Sequence, residues 1–185
     1  TRSAEIARAF RMKVIAYDPY VSAGECKARG ADKVDFETLF STSDYITVHT
    51  PRTSETLGMV NAGAFALMKP TAYFVNPARG GIHKEDDLVQ ALEAGQLAGA
   101  GLDVWWEEPT PKDHPLLQFD NVIATPHSAG VTEEAITNMR EWAADQWIEI
   151  FQGKVPPRLI NPEVWPKYQT RFEEKLGSKP ADLPR

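Results

Sequence analysis

The sequence lacks the features of disulfide-stabilised, membrane and nucleic-acid-binding proteins. Its single cysteine, Cys26, excludes an internal disulfide framework and fits a reducing compartment. No uncharged apolar run approaches the roughly 20 residues that span a bilayer, and residues 1–10 have no signal-peptide pattern. The net charge of −6 offers no basic face to nucleic acid. We therefore expect a soluble, cytoplasmic protein without membrane or nucleic-acid partners.

Motifs for metal and nucleophilic chemistry are also missing. No two histidines have metal-ligand spacing, and neither HExxH nor CxxC occurs, so we expect no metal site. No serine lies in a GxSxG turn, and Cys26 has no evident base beside it. His83 lies beside Lys84 and Glu85 at the start of a predicted helix, and we expect its side chain to be exposed.

Short apolar runs alternate with segments of helical periodicity. Strands are predicted over 13–17, 45–49, 72–76, 99–104 and 121–125, with a weaker one near 33–34. Helices are predicted over 2–10, 62–67 and 85–94, and a long one follows the capping residue Thr132. This alternation predicts an α/β fold with βαβ units and a mainly parallel sheet. The strands are apolar nearly throughout, as expected when helices cover both faces of the sheet.

The sequence changes character from about Pro156, where proline and charged residues become frequent. We expect a tail that lies over another surface, anchored by Trp165 and Tyr168, with a mobile end.

Chemically useful side chains follow the predicted strands, and ligands bind at such strand ends in doubly wound sheets. Three could act together: Arg79 on an anion, His127 on a proton and Glu108 on the histidine. Each has an ordinary alternative, namely a surface ion pair, a loop histidine and a solvated carboxylate. Asp18 and Asp103 could simply start or cap turns. Their joint placement at separate strand ends favours a site.

An ordered set of segments along residues 12–152 resembles the cofactor-binding region of NAD-dependent D-isomer-specific 2-hydroxyacid dehydrogenases. The segments are VIAYDPY, ITVHTPRTSETLGMVN, ALMKPTAYFVNPARGG, LAGAGLDVWWEEP and NVIATPHSAGVTEEA. The resemblance implies a Rossmann-like doubly wound parallel sheet and NAD as cofactor. It implies an oxidoreductase that transfers a hydride between NAD(H) and a small D-2-hydroxy acid or 2-oxo acid. It also implies a homodimer.

The resemblance implies a role for each candidate residue. Arg79 would bind the substrate carboxylate and polarise its 2-oxo group. His127 would be the general acid and base, and Glu108 would hold its imidazole and favour the protonated form. Asp18 would accept the adenosine ribose hydroxyls and repel the extra phosphate of NADP, while Asp103 would bond the nicotinamide carboxamide. Further cofactor contacts are implied for Thr50, Pro51, Thr56, Pro77, Ala78 and Gly130.

Two elements of the family are not found in the sequence. The glycine-rich turn and its strand should precede Asp18 by about 20 residues, upstream of Thr1, and the substrate domain is also missing. We therefore expect an incomplete sheet within a longer polypeptide. Residues 1–152 would form a partial dinucleotide-binding domain, and 153–185 a C-terminal segment that returns to the substrate domain.

Two alternative functions stay open. The segments DVW and EPTPKDHP also resemble formate dehydrogenase, and a formate- or phosphite-oxidising relative is one alternative. Formate enzymes pair the histidine with glutamine, so Glu108 disfavours formate. The other alternative is a dinucleotide-sensing or scaffold protein that retains the fold, which turnover would distinguish from an enzyme.

Overall fold

A computed structural model describes residues 2–183 of the chain. The described residues divide into two compact units, of which the first ends at Ala129 and the second begins at Gly130.

Strands and helices alternate in the first unit. The strands are β1 (Ile15–Ala16), β2 (Asp32–Lys33), β3 (Tyr45–Thr47), β4 (Tyr73–Asn76), β5 (Gly99–Leu102) and β6 (Val122–Ala124). The helices are α1 (Arg2–Ala9), α2 (Ala23–Ala28), α3 (Phe36–Thr42), α4 (Ala62–Leu67) and α5 (Glu85–Glu93). A short 3-10 helix, Pro115–Gln118, precedes β6.

All strand pairs in this unit are parallel, and they form two sheets. One sheet has the order β3-β4-β5-β6, and the other is the pair β1-β2. The register aligns Thr47 with Val75, Val75 with Gly101 and Gly101 with Ile123, so the carboxyl ends of four strands lie along one edge. The prediction of an incomplete, doubly wound α/β fold is confirmed.

Local sequence explains where several helices begin. Asp35 accepts a hydrogen bond from Thr38 N at 2.7 Å at the start of α3, and Asn61 caps α4 in the same way. Helix α5 begins with three acidic residues, which favour the positive end of the helix dipole. These caps satisfy backbone N–H groups that have no partner within the helix.

The core lies between the four-stranded sheet and helices α3, α4 and α5. Its fully buried side chains include Phe65, Phe74, Leu88, Leu102 and Leu116. Phe65 meets Phe74 edge to face, with ring centroids 5.4 Å apart. This packing fixes the sheet from which the strand ends project.

The second unit consists mainly of two helices, α6 (Glu133–Phe151) and α7 (Trp165–Leu176), with a 3-10 turn at Pro162–Val164. Thr132 caps α6 as predicted, accepting from Ala135 N at 3.1 Å. No residue of α6 is buried, and its Met139 and Trp147 are largely exposed.

The proline-rich tail contains a helix that the sequence analysis did not predict. Pro166 lies in the first turn of α7, where the missing N–H costs no intrahelical bond. Trp165 is buried and donates from Nε1 to Ala181 O at 2.9 Å, within the tail, and the Tyr168 hydroxyl donates to Ile150 O of α6. That the tail lies over another surface stays a prediction. The predicted mobile end includes residues 184–185, which lie outside the described residues.

The predicted strands and helices of the first unit are present, most of them shorter than expected. One prediction was wrong: His83 is not exposed but 1% accessible. The cause is the short bridge between Val60 and His83, in which Lys84 N donates to Val60 O at 2.9 Å. Because α5 begins only at Glu85, His83 belongs to an extended segment that is drawn into the core.

Candidate active site

The strand ends bring Arg79, Glu108 and His127 to one edge of the sheet. Arg79 follows β4, Glu108 lies in the loop after β5, and His127 follows β6. Since these strands are neighbours in a parallel sheet, residues distant in sequence meet at this edge.

Glu108 and His127 form a hydrogen-bonded pair. His127 Nδ1 lies 2.8 Å from Glu108 Oε2, and because a carboxylate only accepts, the imidazole donates from Nδ1. Glu108 Oε1 accepts from Trp105 N at 3.0 Å. The hydrogen bond from His127, then that from Trp105, and also the positive charge of Arg79, lower the pKa of Glu108 below its ordinary value. The charged carboxylate of Glu108 is therefore hydrogen-bonded to Nδ1 of His127, and Nε2 takes no part in this hydrogen bond.

Asp103 holds the segment that carries His127. Its Oδ1 accepts from Thr125 Oγ1 at 2.6 Å and from Ser128 N at 2.8 Å, while Oδ2 accepts from Ala129 N at 3.0 Å. Burial alone would raise the pKa of Asp103, but these hydrogen bonds outweigh burial and lower the pKa. The carboxylate thus binds the chain on both sides of the histidine.

This binding explains an unusual backbone conformation at His127. The φ angle of His127 is 55°, in the left-handed region that few non-glycine residues adopt. Such a conformation costs free energy and persists only where its surroundings hold it. The hydrogen bonds of Asp103 hold this conformation, and the loop thereby sets the direction of the imidazole.

The Arg79 turn lies against the backbone of the loop after β5. A Cβ added at Gly80 would lie 1.7 Å from Trp105 O, so only glycine permits this approach. Arg79 itself is exposed, and its Nη1 donates to Ala78 O at 2.6 Å. Gly80 therefore brings the turn that carries Arg79 directly against the loop that carries Glu108.

The loop of Glu108 is also braced from α5. Glu85 Oε1 accepts from Trp106 N at 2.7 Å, and Glu85 Oε2 lies 3.1 Å from His114 Nε2. His114 Nδ1 accepts from Leu116 N at 3.2 Å, so Nε2 carries the proton and donates to Glu85. Glu85 thus holds the loop both before and after Glu108.

Several predicted cofactor residues line one cleft of about 590 Å³ beside Arg79. The lining residues are His49, Thr50, Pro51, Arg52, Pro77, Ala78 and Arg79. This volume lies within the range of pockets for small organic ligands, about 300–1,000 Å³. Its wall combines two prolines and a threonine with the cationic side chains of Arg52 and Arg79.

The other four predicted cofactor residues, of which Asp103 has been described above, do not line this cleft. Thr56 braces the loop after β3, since its Oγ1 donates to Pro51 O at 2.6 Å. Asp18 follows β1 in the two-stranded sheet, where its Oδ1 accepts from Tyr20 N at 2.9 Å. Gly130 is the first residue of the second unit.

Sequence reasoning missed residues that contribute to this site. His49 lines the cleft, with Nε2 at 3.1 Å from Thr47 Oγ1, and burial lowers the pKa of His49 below its ordinary value. Asn76 and Glu85 hold neighbouring backbone through hydrogen bonds. The signal for Asn76 was available, because it is a polar residue that ends an otherwise apolar strand.

Among residues 2–183, no group of three or more His, Cys, Asp or Glu side chains could hold a metal ion. In the same part of the chain, no helix combines the length and the apolar character needed to cross a membrane.

Comparison with known proteins identifies the architecture. The family model described as "D-isomer specific 2-hydroxyacid dehydrogenase, NAD binding domain" matches residues 1–129. The chain belongs to this family. Among the curated relatives, it is 44% identical over 158 residues to D-3-phosphoglycerate dehydrogenase of Archaeoglobus fulgidus, covering 85% of this chain and 30% of that one. It is 45% identical over 130 residues to glyoxylate reductase of Thermofilum pendens, covering 70% and 38%.

Solved structures of the D-2-hydroxyacid dehydrogenase family share the fold. D-lactate dehydrogenase with NAD+ from Lactobacillus jensenii is similar with a TM-score of 0.80 and 31% identity, over 86% of this chain and 52% of that one. A D-isomer specific 2-hydroxyacid dehydrogenase from Lactobacillus delbrueckii ssp. bulgaricus, in an NAD-complexed form, is similar with a TM-score of 0.77 and 31% identity, over 86% and 52%. The chain thus spans about a third of the length of the two curated relatives and about half of these solved chains.

Proposed function

We propose that the complete protein containing this chain transfers a hydride between NAD(H) and a small D-2-hydroxy acid or its 2-oxo acid. The observation that carries the proposal is the Glu108–His127 pair, joined at 2.8 Å at the sheet edge that also bears Arg79. Membership in the D-2-hydroxyacid dehydrogenase family supports the same reaction class.

The proposed mechanism assigns one task to each of the three residues. Arg79 binds the substrate carboxylate, because its planar guanidinium can donate two parallel hydrogen bonds to it. NAD, when bound, supplies the carbon that accepts or donates the hydride. His127 delivers a proton from Nε2 to the 2-oxo oxygen, or removes one from the hydroxyl. Glu108 keeps Nδ1 protonated and balances the charge that the imidazole gains.

The cofactor contacts are proposed from the cleft and from the family. Thr50, Pro51, Pro77 and Ala78 would line NAD in the cleft beside Arg79. Asp18 would accept the adenosine ribose hydroxyls and disfavour the 2′-phosphate of NADP by charge repulsion. Thr56 would support this wall through its bond to Pro51.

Roles at the nicotinamide end are proposed for Asp103 and Gly130. Asp103 would bond the nicotinamide carboxamide in addition to holding the His127 segment, and Gly130 would contact the cofactor by its backbone.

We further propose a homodimer in the cytoplasm, with residues 1–152 in the dinucleotide-binding domain and 153–185 returning to a substrate domain. These proposals rest on the resemblance to the family. Sedimentation of the complete protein tests the homodimer.

The test of the function is oxidation of NADH by the complete protein with glyoxylate, pyruvate, hydroxypyruvate and phosphohydroxypyruvate. Turnover of any of these acids supports the proposal. Tight NADH binding without turnover would favour a dinucleotide-sensing or scaffold protein instead. Reduction of NAD+ by formate or phosphite, with no reaction of the oxo acids, would favour a formate- or phosphite-oxidising enzyme.

A further inference from the structure

His83 is a buried titratable side chain that the proposed mechanism does not use. It is 1% accessible and lies beside Phe74, with ring centroids 5.6 Å apart. Burial, and then the neighbouring His114, lowers the pKa of His83 to about 4. The imidazole is therefore neutral at neutral pH, with a proton on one nitrogen only.

The hydrogen bonds of Asn76 determine which nitrogen of His83 carries the proton. Ala78 N donates to Asn76 Oδ1 at 3.0 Å, which fixes the orientation of the amide. Asn76 Nδ2 then donates to Arg79 O at 3.1 Å and lies 2.9 Å from His83 Nδ1. Since an amide NH₂ only donates, His83 Nδ1 accepts and the proton is on Nε2.

The proton on Nε2 has a free-energy cost. Among the described residues, Nε2 of His83 is buried with no hydrogen-bond partner, and a buried unsatisfied donor destabilises a protein. An apolar side chain would avoid that cost in this apolar setting. Unlike an apolar side chain, however, the imidazole accepts a hydrogen bond from Asn76.

Asn76 in turn fixes the turn that carries Arg79. It is fully buried and bonds the backbone of both residues that precede Gly80, namely Ala78 and Arg79. Without a second acceptor, one of the two N–H groups on Nδ2 would be buried unpaired, and only the bond to Arg79 O would hold that end of the amide. His83 supplies that acceptor from the core side.

We infer that His83 is a positioning residue for Arg79, acting through Asn76 on the backbone turn of residues 76–80. This inference rests on the proposed function for its kinetic consequence, because Arg79 is the group proposed to hold the substrate carboxylate. A positioning role predicts weaker binding of the oxo acid together with a less firmly held Ala78 amide.

Three variants of the complete protein distinguish the loss of the hydrogen-bond acceptor at residue 83 from a change in core packing. His83→Phe keeps a ring of similar size and removes the acceptor. His83→Asn places Oδ1 close to the position of the imidazole Nδ1 and restores an acceptor. Ile82→Val trims a neighbouring side chain that is also fully buried and has no part in the network. His83→Leu repeats the first test if the phenylalanine variant does not fold.

Two measurements are made on each variant: steady-state kinetics with NADH and glyoxylate, and hydrogen exchange of the Ala78 amide. We expect His83→Phe to raise KM for glyoxylate by about five- to tenfold, the effect of one hydrogen bond, with a smaller change in kcat. Exchange at Ala78 should become faster by a similar factor. His83→Asn should return both values toward wild type, and Ile82→Val should leave both unchanged.

Wild-type KM and Ala78 exchange in His83→Phe would overturn the inference. Equal defects in the Phe and Asn variants would also overturn it, because the acceptor would then not matter. If the wild type turns over none of the oxo acids, the proposed function fails and exchange alone decides the inference. Faster Ala78 exchange in His83→Phe would then support the ordering role, and unchanged exchange would overturn it.

Discussion

Asp103→Asn tests how far the loop of His127 depends on a single carboxylate. In the wild type, two oxygens accept three hydrogen bonds, at 2.6, 2.8 and 3.0 Å. Asparagine has one acceptor oxygen. If that oxygen keeps Thr125 and Ser128, the new NH₂ group faces the Ala129 N–H, and two donors oppose each other.

The expected magnitude follows from those contacts. A hydrogen bond to a charged group contributes about 1.5–3 kcal/mol, and charge-assisted bonds are roughly twice as strong as neutral ones. Asp103→Asn loses one such bond and weakens two. We therefore expect the free energy of unfolding to fall by about 3 kcal/mol.

Urea denaturation measured by tryptophan fluorescence provides the assay, since Trp105 donates from Nε1 to Thr125 O at 3.0 Å and reports on this loop. Asp120→Asn is the matched control, because Asp120 is exposed. Its effect should stay within about 0.5 kcal/mol. A loss of less than about 1 kcal/mol in Asp103→Asn would refute the assignment of Asp103 as the residue that holds the His127 segment.

Three further substitutions address the rest of the site. The pKa of Glu108 is lower in the folded state than in the unfolded state, so its charged form stabilises the fold above the unfolded pKa of about 4.3. That stabilisation is lost as the pH falls through the folded-state pKa. The stability difference between wild type and Glu108→Gln should therefore shrink below about pH 4 in urea titrations; equal differences at acid and neutral pH would contradict it. Arg79→Lys keeps the charge but loses the planar fork, so KM for the oxo acid should rise about tenfold or more with NADH binding unchanged; an unchanged KM would remove Arg79 from the carboxylate site. Asp18→Ala should reduce the preference for NADH over NADPH in the ratio of kcat/KM values, and an unaltered ratio would argue against its ribose role.

The alternation of strands and helices was predictable because it depends on local patterns. Apolar runs such as 72–76 and 121–125 are followed by turn residues, and those runs became β4 and β6. The meeting of Arg79, Glu108 and His127 at one sheet edge then follows from the parallel order of the strands. The positions of these three residues could be predicted without knowledge of side-chain contacts.

The contacts that hold the site were not predictable in the same way. His83 stands among charged residues, so local sequence indicated exposure, whereas a bridge to Val60 buries it. The three bonds of Asp103 join segments more than twenty residues apart. The close approach of Gly80 to Trp105 O joins two loops that are separate in the sequence. Each depends on tertiary packing that no sequence window contains.

The most direct test of the central claim compares wild type and His127→Ala in the complete protein, by NADH oxidation with a 2-oxo acid and by NADH binding. We expect the variant to lose about 10²–10⁴-fold in turnover, the typical contribution of a general acid. Its Kd for NADH should stay within about twofold of wild type, as expected where no cofactor contact is removed. Equal turnover in the two proteins would contradict the assignment of His127 as the proton donor. A large loss of NADH binding would instead make this histidine part of the cofactor site.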